Sequence, residues 1–155
     1  MTPSSTDPHN LARFIAAQEP TVGRVRTELR AGRKASHWMW FVFPQIAGLG
    51  RSDTARFYAI QSRDEAVAYL AHSVLGPRLV ECTQLVNAVK GSTAEQILGH
   101  VDAMKFHSCM TLLATVDAGQ PDFAEALRRY CGGALDQATL DRIQPGPGPA
   151  GRQLT

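Results

Sequence analysis

Residues 36–52 read SHWMWFVFPQIAGLGRS, and this is the most informative stretch of the chain. It holds both tryptophans and two of the six phenylalanines, beside His37, Gln45 and a Gly-Leu-Gly turn. Aromatic side chains bury a large area at a small cost in entropy, whereas polar groups among them need hydrogen-bond partners. We therefore expect the stretch either at the centre of the core or in the wall of a pocket.

The backbone of residues 37–43 is compatible with a strand or with a buried turn of helix. Trp, Phe and Val favour strands, and Pro44 disfavours a helical conformation at Phe43. Ser36, however, is a suitable helix cap, and a lone strand would lack a pairing partner because no second strand is indicated elsewhere. The sequence therefore favours a short buried helix.

Apolar residues recur at helical spacing on both sides of this stretch, between capping residues and helix-ending glycines. Residues 62–65 and 92–95 each match the capping box, in which a serine and a glutamate three residues later satisfy free backbone amides. The pattern predicts a mainly α fold, a single compact domain of about seven to nine short helices over residues 7–143, with little or no β-structure. The predicted helices lie near residues 7–18, 22–32, 53–60, 62–72, 75–91, 92–98, 102–116, 121–130 and 136–143.

The composition fits one domain that needs neither a metal nor a disulfide. A chain of 155 residues, 44% of them hydrophobic, can bury an adequate core, and Cys82, Cys109 and Cys131 show no metal-ligand spacing. We predict no cofactor and no metal site. The net charge of +2 is too small to indicate nucleic acid. Residues 1–6 and 144–155 are expected to be flexible tails, and the lack of a signal sequence or apolar span favours a cytoplasmic location without membrane contact.

The string HWMWFVFPQ, with LGPRL and DAMKFHSCMTLL downstream, is similar to the bacterial family catalogued as domain of unknown function 1810. The resemblance covers about Asp7 to Ile143 and implies a compact, mostly α-helical fold of its own type, with no established activity. Some members carry the label calpastatin, but nothing here resembles that disordered, repeat-built calpain inhibitor. Where the family usually has SSMTLF, this chain has Cys109 for the second serine and Leu113 for the terminal aromatic residue.

Lys105 lies among apolar residues on the helix predicted from Asp102, when side chains are placed at about 100° per residue. A lysine in that position needs Asp102 one turn earlier, another carboxylate or an anionic ligand, and Ser108 borders the same face. One interpretation makes Lys105 an anion anchor or an acid/base group oriented by Asp102. In the other, Asp102 only caps the helix and Lys105 reaches past its neighbours to water. The sequence leaves both open.

The turn after the aromatic stretch combines two glycines with an arginine, just before the helix predicted at Asp53. Backbone amides at a helix N-terminus and a nearby guanidinium can bind an anion. Alternatively, the glycines only allow a tight turn and Ser52 only caps the helix. His37 is the candidate acid or base, because imidazole titrates near neutrality and aromatic neighbours can exclude water. A hydrogen-bonded structural histidine is the alternative.

These features favour a pocket that binds or processes a small anionic, nucleotide-like ligand. It would be formed by the aromatic segment from His37 to Gln45, the turn from Gly48 to Ser52 and the Lys105 helix. The candidate catalytic residues are His37, Asp102 and Lys105. The predicted ligand contacts are Trp38, Trp40, Gln45, Gly48, Gly50, Arg51, Ser52, Lys105 and Ser108.

The alternative function is a non-enzymatic protein–protein interaction module. In that case Trp38 and Trp40 belong to the core, and the outer helix faces bind a partner, including a second copy of the chain. The two hypotheses differ in where exposed apolar and polar groups fall, inside a concavity for a ligand or on a flat patch for a partner.

Overall fold

The computed structural model describes residues 7–143, and within them it contains ten helical segments and no sheet. The mainly α, single-domain prediction is confirmed, with a helix count just above the predicted range because the aromatic stretch adds one short turn. The predicted tails, residues 1–6 and 144–155, lie outside the described residues. The helices are α1 Ala12–Gln18, α2 Val22–Arg30, α3 Met39–Val42, α4 Asp53–Phe57, α5 Arg63–Ala71, α6 Leu75–Ala88, α7 Ala94–Leu98, α8 His100–Val116, α9 Pro121–Cys131 and α10 Gln137–Ile143.

The aromatic stretch forms the single turn α3, as the favoured prediction states. Phe43, immediately before Pro44, leaves the helical region with φ −125° and ψ 72°, as a residue that precedes proline should. The chain then makes one isolated parallel bridge, in which Ile60 N donates to Gln45 O and Ala47 N donates to Ile60 O, both at 2.8 Å. This bridge fixes the segment that leads into the Gly-Leu-Gly turn.

The helix starts follow the serine signals, with one shift in register. Ser52 Oγ and Ser62 Oγ each accept a backbone N–H three residues on, at 3.1 Å. The second capping box lies one residue later than predicted and joins Thr93 to Gln96. Both pairs fit the motif, and in the observed register the buried side chains of α7 are Ala94, Ile97 and Leu98.

Helix α8 runs through the middle of the domain and packs against α5, α7, α9 and α10. Its Phe106 is fully buried and meets Phe43 edge-on, with ring centroids 5.1 Å apart. This contact joins the aromatic stretch to the central helix. None of the helices in residues 7–143 combines the length and the apolar character needed to span a bilayer.

Arg13 on α1 uses all five N–H groups of its guanidinium, and its pair with Glu65 is almost completely buried. Nε donates to Phe57 O at 2.8 Å, Nη1 to His9 O and Asn10 O at 2.7 and 2.8 Å, and Nη2 to Ala59 O and Glu65 Oε2 at 3.0 and 2.7 Å. The other oxygen of Glu65 accepts from Gln61 N at 2.9 Å. The desolvated charges are therefore fully hydrogen-bonded, which a buried ion pair requires.

Glu28 on α2 holds the start of the aromatic stretch through one carboxylate. Oε1 accepts from Ala35 N, Ser36 N and Trp38 Nε1 at 2.7, 3.1 and 2.9 Å, and Oε2 accepts from Ser36 Oγ at 2.5 Å. Partial burial alone would raise the pKa of Glu28, but these hydrogen bonds outweigh it and lower the pKa to about 2. The buried indole of Trp38 thereby keeps a partner for its N–H.

Glu28→Gln is expected to lower the free energy of unfolding near neutral pH, because the amide brings a donor to a site that needs acceptors. The folded pKa of about 2 lies below the ordinary 4.5, so the charged form is favoured by folding. This stabilisation is complete above pH 4.5 and is lost as the pH falls towards 2. Urea unfolding at a series of pH values should show the difference between wild type and variant shrinking through that range.

The matched control is Glu95→Gln, which removes an exposed carboxylate that makes no hydrogen bond within residues 7–143. It should change stability little at any pH. A gap between wild type and Glu28→Gln that stays constant from neutral pH to acid would contradict the assigned hydrogen bonds.

Candidate functional site

A groove of about 330 Å³ opens between the turn after Ile46, the outer face of α8 and the start of α10. Four of the predicted ligand contacts line it: Gln45, Gly50, Lys105 and Ser108. The remaining lining residues are Leu49, Val101, Met104, His107, Asp136 and Ala138. The fold therefore brings the turn and the Lys105 helix together, although they are distant in sequence.

The ammonium of Lys105 lies 5.0 Å from the centroid of the Trp40 ring and 3.8 Å from Asp102 Oδ1. The lysine side chain is 21% exposed, so it is neither sealed in the core nor free in water. Asp102 does not cap the helix, because α8 begins two residues earlier at His100, after Gly99. The predicted pairing of Asp102 with Lys105 is thus the arrangement that the fold adopts.

Asp102 has a second and closer cationic partner in Lys34. Lys34 Nζ lies 2.8 Å from Asp102 Oδ2, and the lysine side chain is only 8% exposed. The same ammonium stands 5.1 Å from the centroid of the Trp38 ring. Sequence reasoning missed Lys34 because it follows several arginines at positions 24–33, a pattern typical of a solvated helix face. Nothing in that pattern indicates the long-range pair with Asp102.

The two tryptophans occupy different surroundings. Trp38 is fully buried and bonded to Glu28, so it belongs to the core and does not line the groove. Trp40 is half-buried, and one face of its ring is covered by Lys105. The space between Trp40, Gln45, Tyr58 and Lys105 is about 10 Å³, enough for a single water at most. A ligand ring therefore cannot enter behind Lys105.

His37 is exposed and does not line the groove. The expectation that its aromatic neighbours shield it from water is wrong, and it does not join Lys105 and the turn. The physical reason is that Ser36 and Trp38, on either side of it, both turn their polar groups to Glu28. The imidazole between them is left pointing outward.

The turn at one end of the groove depends on its glycines. Gly48 has φ +100°, and the guanidinium of Arg142 packs so closely against it that an added Cβ would lie 2.5 Å from Nη1. Arg51 and Ser52 are exposed, and Ser52 caps α4. The backbone N–H groups of residues 48–51 donate no hydrogen bond to another part of residues 7–143. Two of these residues, Leu49 and Gly50, line the groove.

At the other end of the groove, the single hydroxyl hydrogen of Ser108 has two acceptors within reach, Asp136 Oδ2 at 3.0 Å and Met104 O at 3.2 Å from Oγ. Thr139 donates to the same carboxylate oxygen through its backbone N–H and its hydroxyl, at 3.2 and 2.5 Å. Asp136 Oδ1 accepts no hydrogen bond within residues 7–143. His107 Nε2 lies 2.8 Å from Ala134 O. The groove thus offers a cation at one place and an unused acceptor at another.

The cysteines lie away from the groove and are poor nucleophiles. Burial raises the pKa of the Cys109 thiol well above its ordinary value and that of Cys82 to about 12. Burial also raises the pKa of Cys131 to about 11. Residues 7–143 contain no group of three or more His, Cys, Asp or Glu side chains arranged to hold a metal ion.

Helix packing around α8, with a single-turn aromatic segment and a groove beside Lys105, defines a small all-helical domain. The chain belongs to the family described as protein of unknown function DUF1810, whose model matches residues 8–143. The family resemblance carried by HWMWFVFPQ is thereby confirmed.

A solved structure is similar to this chain, the crystal structure of the conserved hypothetical protein Rv1873 from Mycobacterium tuberculosis. The two sequences are 51% identical, the match covers 88% of this chain and 98% of that chain, and the TM-score is 0.87. No curated protein matches the sequence.

Gly50→Ala is expected to destabilise the turn that forms one wall of the groove. A Cβ at Gly50 would lie 2.5 Å from the Cβ of Ala55 on α4, and such overpacking costs about 1–3 kcal/mol. Ala55→Gly removes the opposing methyl group, so the double variant should lose less stability than the two single losses added together. Urea unfolding of all four proteins measures this coupling. Additive losses would mean that the turn does not pack on α4.

Proposed function

We propose that the groove binds a small anionic molecule that carries hydroxyl groups, about the size of a mononucleotide. The observation that carries the proposal is Lys105, whose ammonium stands at the groove and, within residues 7–143, pairs with one carboxylate, at 3.8 Å. That carboxylate, Asp102, is shared with Lys34 at 2.8 Å. Lys34, Asp102 and Lys105 carry a net charge of +1 at this end of the groove, and the carboxylate of Asp136 lies at the other end.

The volume and the apolar lining support a ligand with a carbon or ring portion. Pockets for small molecules occupy roughly 300–1,000 Å³, and the groove, at about 330 Å³, lies at the lower end. Val101 and Met104 are each 61% exposed beside it, and Leu49 faces the same space. Because Lys105 covers the face of Trp40, the apolar part of the ligand would rest on these three side chains.

The polar groups of the groove support a hydroxyl-bearing ligand over a simple anion. Asp136 Oδ1 is an acceptor without a donor in residues 7–143, and a sugar hydroxyl would supply one. The side chain of Gln45 can both donate and accept. The free N–H groups of residues 48–51 add donors for a phosphate or carboxylate. Inorganic phosphate would use only part of this set and should bind more weakly.

The proposal is binding rather than a reaction. The hydroxyl of Ser108 lies within hydrogen-bond distance of Asp136 Oδ2 and Met104 O, and no histidine within residues 7–143 forms a hydrogen bond with it. The proposed site therefore contains no serine–histidine pair within the described residues, and we assign it no nucleophile.

Lys105→Met is expected to abolish the rise in melting temperature that a nucleotide gives. Methionine keeps most of the stem over Trp40 and removes the charge, so the fold should tolerate the change. A ligand at about 100 times its Kd stabilises the native state by about 2.7 kcal/mol, which thermal unfolding detects. AMP, CMP, ribose 5-phosphate and inorganic phosphate form the test panel.

Lys90→Met is the matched control, because Lys90 is exposed and lies outside the groove. It should respond to each compound as the wild type does. If wild type and Lys105→Met give equal shifts, Lys105 is not the anchor, and if no compound in the panel shifts the wild type, this ligand class is excluded.

A second candidate function is a protein interaction module, and the exposed apolar residues favour it. Val101 and Met104 are each 61% exposed and Leu135 is 47% exposed, all on α8 or just before α10. Large exposed apolar side chains that lie near one another are typical of docking surfaces. In this case the same face of α8 would bind a partner, including another copy of the chain.

Met104→Glu tests this alternative directly. If the face mediates self-association, light scattering should show an oligomer that the glutamate converts to a monomer, because a buried unpaired charge opposes the contact. If the groove binds a ligand instead, the wild type should be monomeric at every concentration and Met104→Glu should weaken nucleotide binding. A constant oligomer in both proteins would reject Met104 as part of the interface.

A further inference from the structure

We propose that Lys34 is a positioning residue that holds Asp102 and thereby leaves the charge of Lys105 available to the ligand. This inference rests on the proposed function, because it concerns the anion site in the same groove. Lys34 does not line the groove itself, so its effect would act through Asp102.

Asp102 interacts more strongly with Lys34 than with Lys105. The Lys34 pair is shorter, 2.8 Å against 3.8 Å, and the Lys34 side chain is the less exposed, 8% against 21%. Coulomb attraction increases as the distance and the effective dielectric constant fall. Asp102 is therefore bound mainly by Lys34, and Lys105 feels a carboxylate that is already neutralised.

The position of Lys34 is fixed on two sides. Its backbone N–H donates to Ile97 O at 2.7 Å, and its ammonium lies over the Trp38 ring at 5.1 Å from the centroid. Trp38 is itself held by the hydrogen bond from Nε1 to Glu28. The lysine is therefore pre-ordered, and little side-chain entropy opposes its pair with Asp102.

The charges make a specific forecast for variants. Lys34, Asp102 and Lys105 together carry +1, and removing the charge of Lys34 leaves an Asp102–Lys105 pair with no net charge. Removing the charges of both Lys34 and Asp102 returns the site to +1. A double variant should therefore bind an anion better than the single Lys34 variant, which a loss of packing alone does not explain.

The first measurement is the affinity for AMP by calorimetry, in wild type, Lys34→Met, Asp102→Asn and the double variant. Lys34→Met is expected to weaken AMP binding about fivefold to tenfold, because one nearby unit charge is lost at intermediate dielectric. The double variant should recover to within about twofold of wild type. Lys90→Met is the matched control, because it removes the charge of a lysine outside the groove. This variant should bind AMP with the affinity of the wild type.

The second measurement needs no ligand and keeps the outcome clear if AMP does not bind. The chain has only three lysines, Lys34, Lys90 and Lys105, so lysine labelled with carbon-13 gives few NMR signals, assigned by the variants. The ring of Trp40 should shift the side-chain signals of Lys105 upfield in wild type. In Lys34→Met, Asp102 should draw Lys105 from the ring and reduce that shift, and the double variant should restore it.

The outcomes separate the two proposals. A double variant that binds AMP as weakly as Lys34→Met, or a Lys34→Met variant that binds as wild type does, overturns the role of Lys34. If wild type does not bind AMP but the Lys105 signals move as expected, the AMP site is lost and the positioning of Lys105 by Lys34 stands. If the signals do not respond to Lys34→Met in a protein that unfolds cooperatively in urea, the positioning role is rejected regardless of binding.

Discussion

The guanidinium of Arg13 is the constraint on which the arrangement of the other elements depends. Its five N–H groups reach residues 9–10, the segment 57–59 and Glu65 on α5, so one side chain fixes three parts of the chain. Lysine would supply three donors from a single point and would leave two carbonyl groups without a partner. The segment that Arg13 holds continues into Ile60, whose bridge with Ile46 sets the base of the Gly-Leu-Gly turn.

A second set of charges links the core to the groove in a continuous order. Glu28 orients the buried Trp38, the ring of Trp38 lies under Lys34, and Lys34 holds Asp102. Asp102 in turn contacts Lys105 at the groove. The two ion pairs are largely buried, so the cost of desolvating the charges offsets much of their attraction. Their value is geometric, because each group restricts the next and the last ammonium is presented to solvent in a defined place.

The sequence predicted the elements well where the signal is local. The caps at Ser52 and Ser62 depend on residues three apart, and the apolar arc of α8 drew attention to Lys105, which lies 3.8 Å from Asp102. The sequence-based prediction was wrong at Thr93, where two overlapping pairs fit the capping box equally well. It also missed Lys34, whose partner Asp102 is distant in the sequence. The spacing of residues along the chain does not indicate that Asp102 on α8 pairs with Lys34, which precedes α3. This part of the site could be found only from the folded structure.

The contact between Trp40 and Lys105 allows the groove to be studied by intrinsic tryptophan fluorescence. The chain has two indoles, and only that of Trp40 has an ammonium over its face at the groove, 5.0 Å from the ring centroid. Trp38 is buried in the core, its N–H is bonded to Glu28, and it does not line the groove. Any molecule that draws the ammonium off the ring alters the local field at Trp40. Trp40 is therefore a native fluorophore beside the groove, and its emission would report the proposed binding without an attached dye.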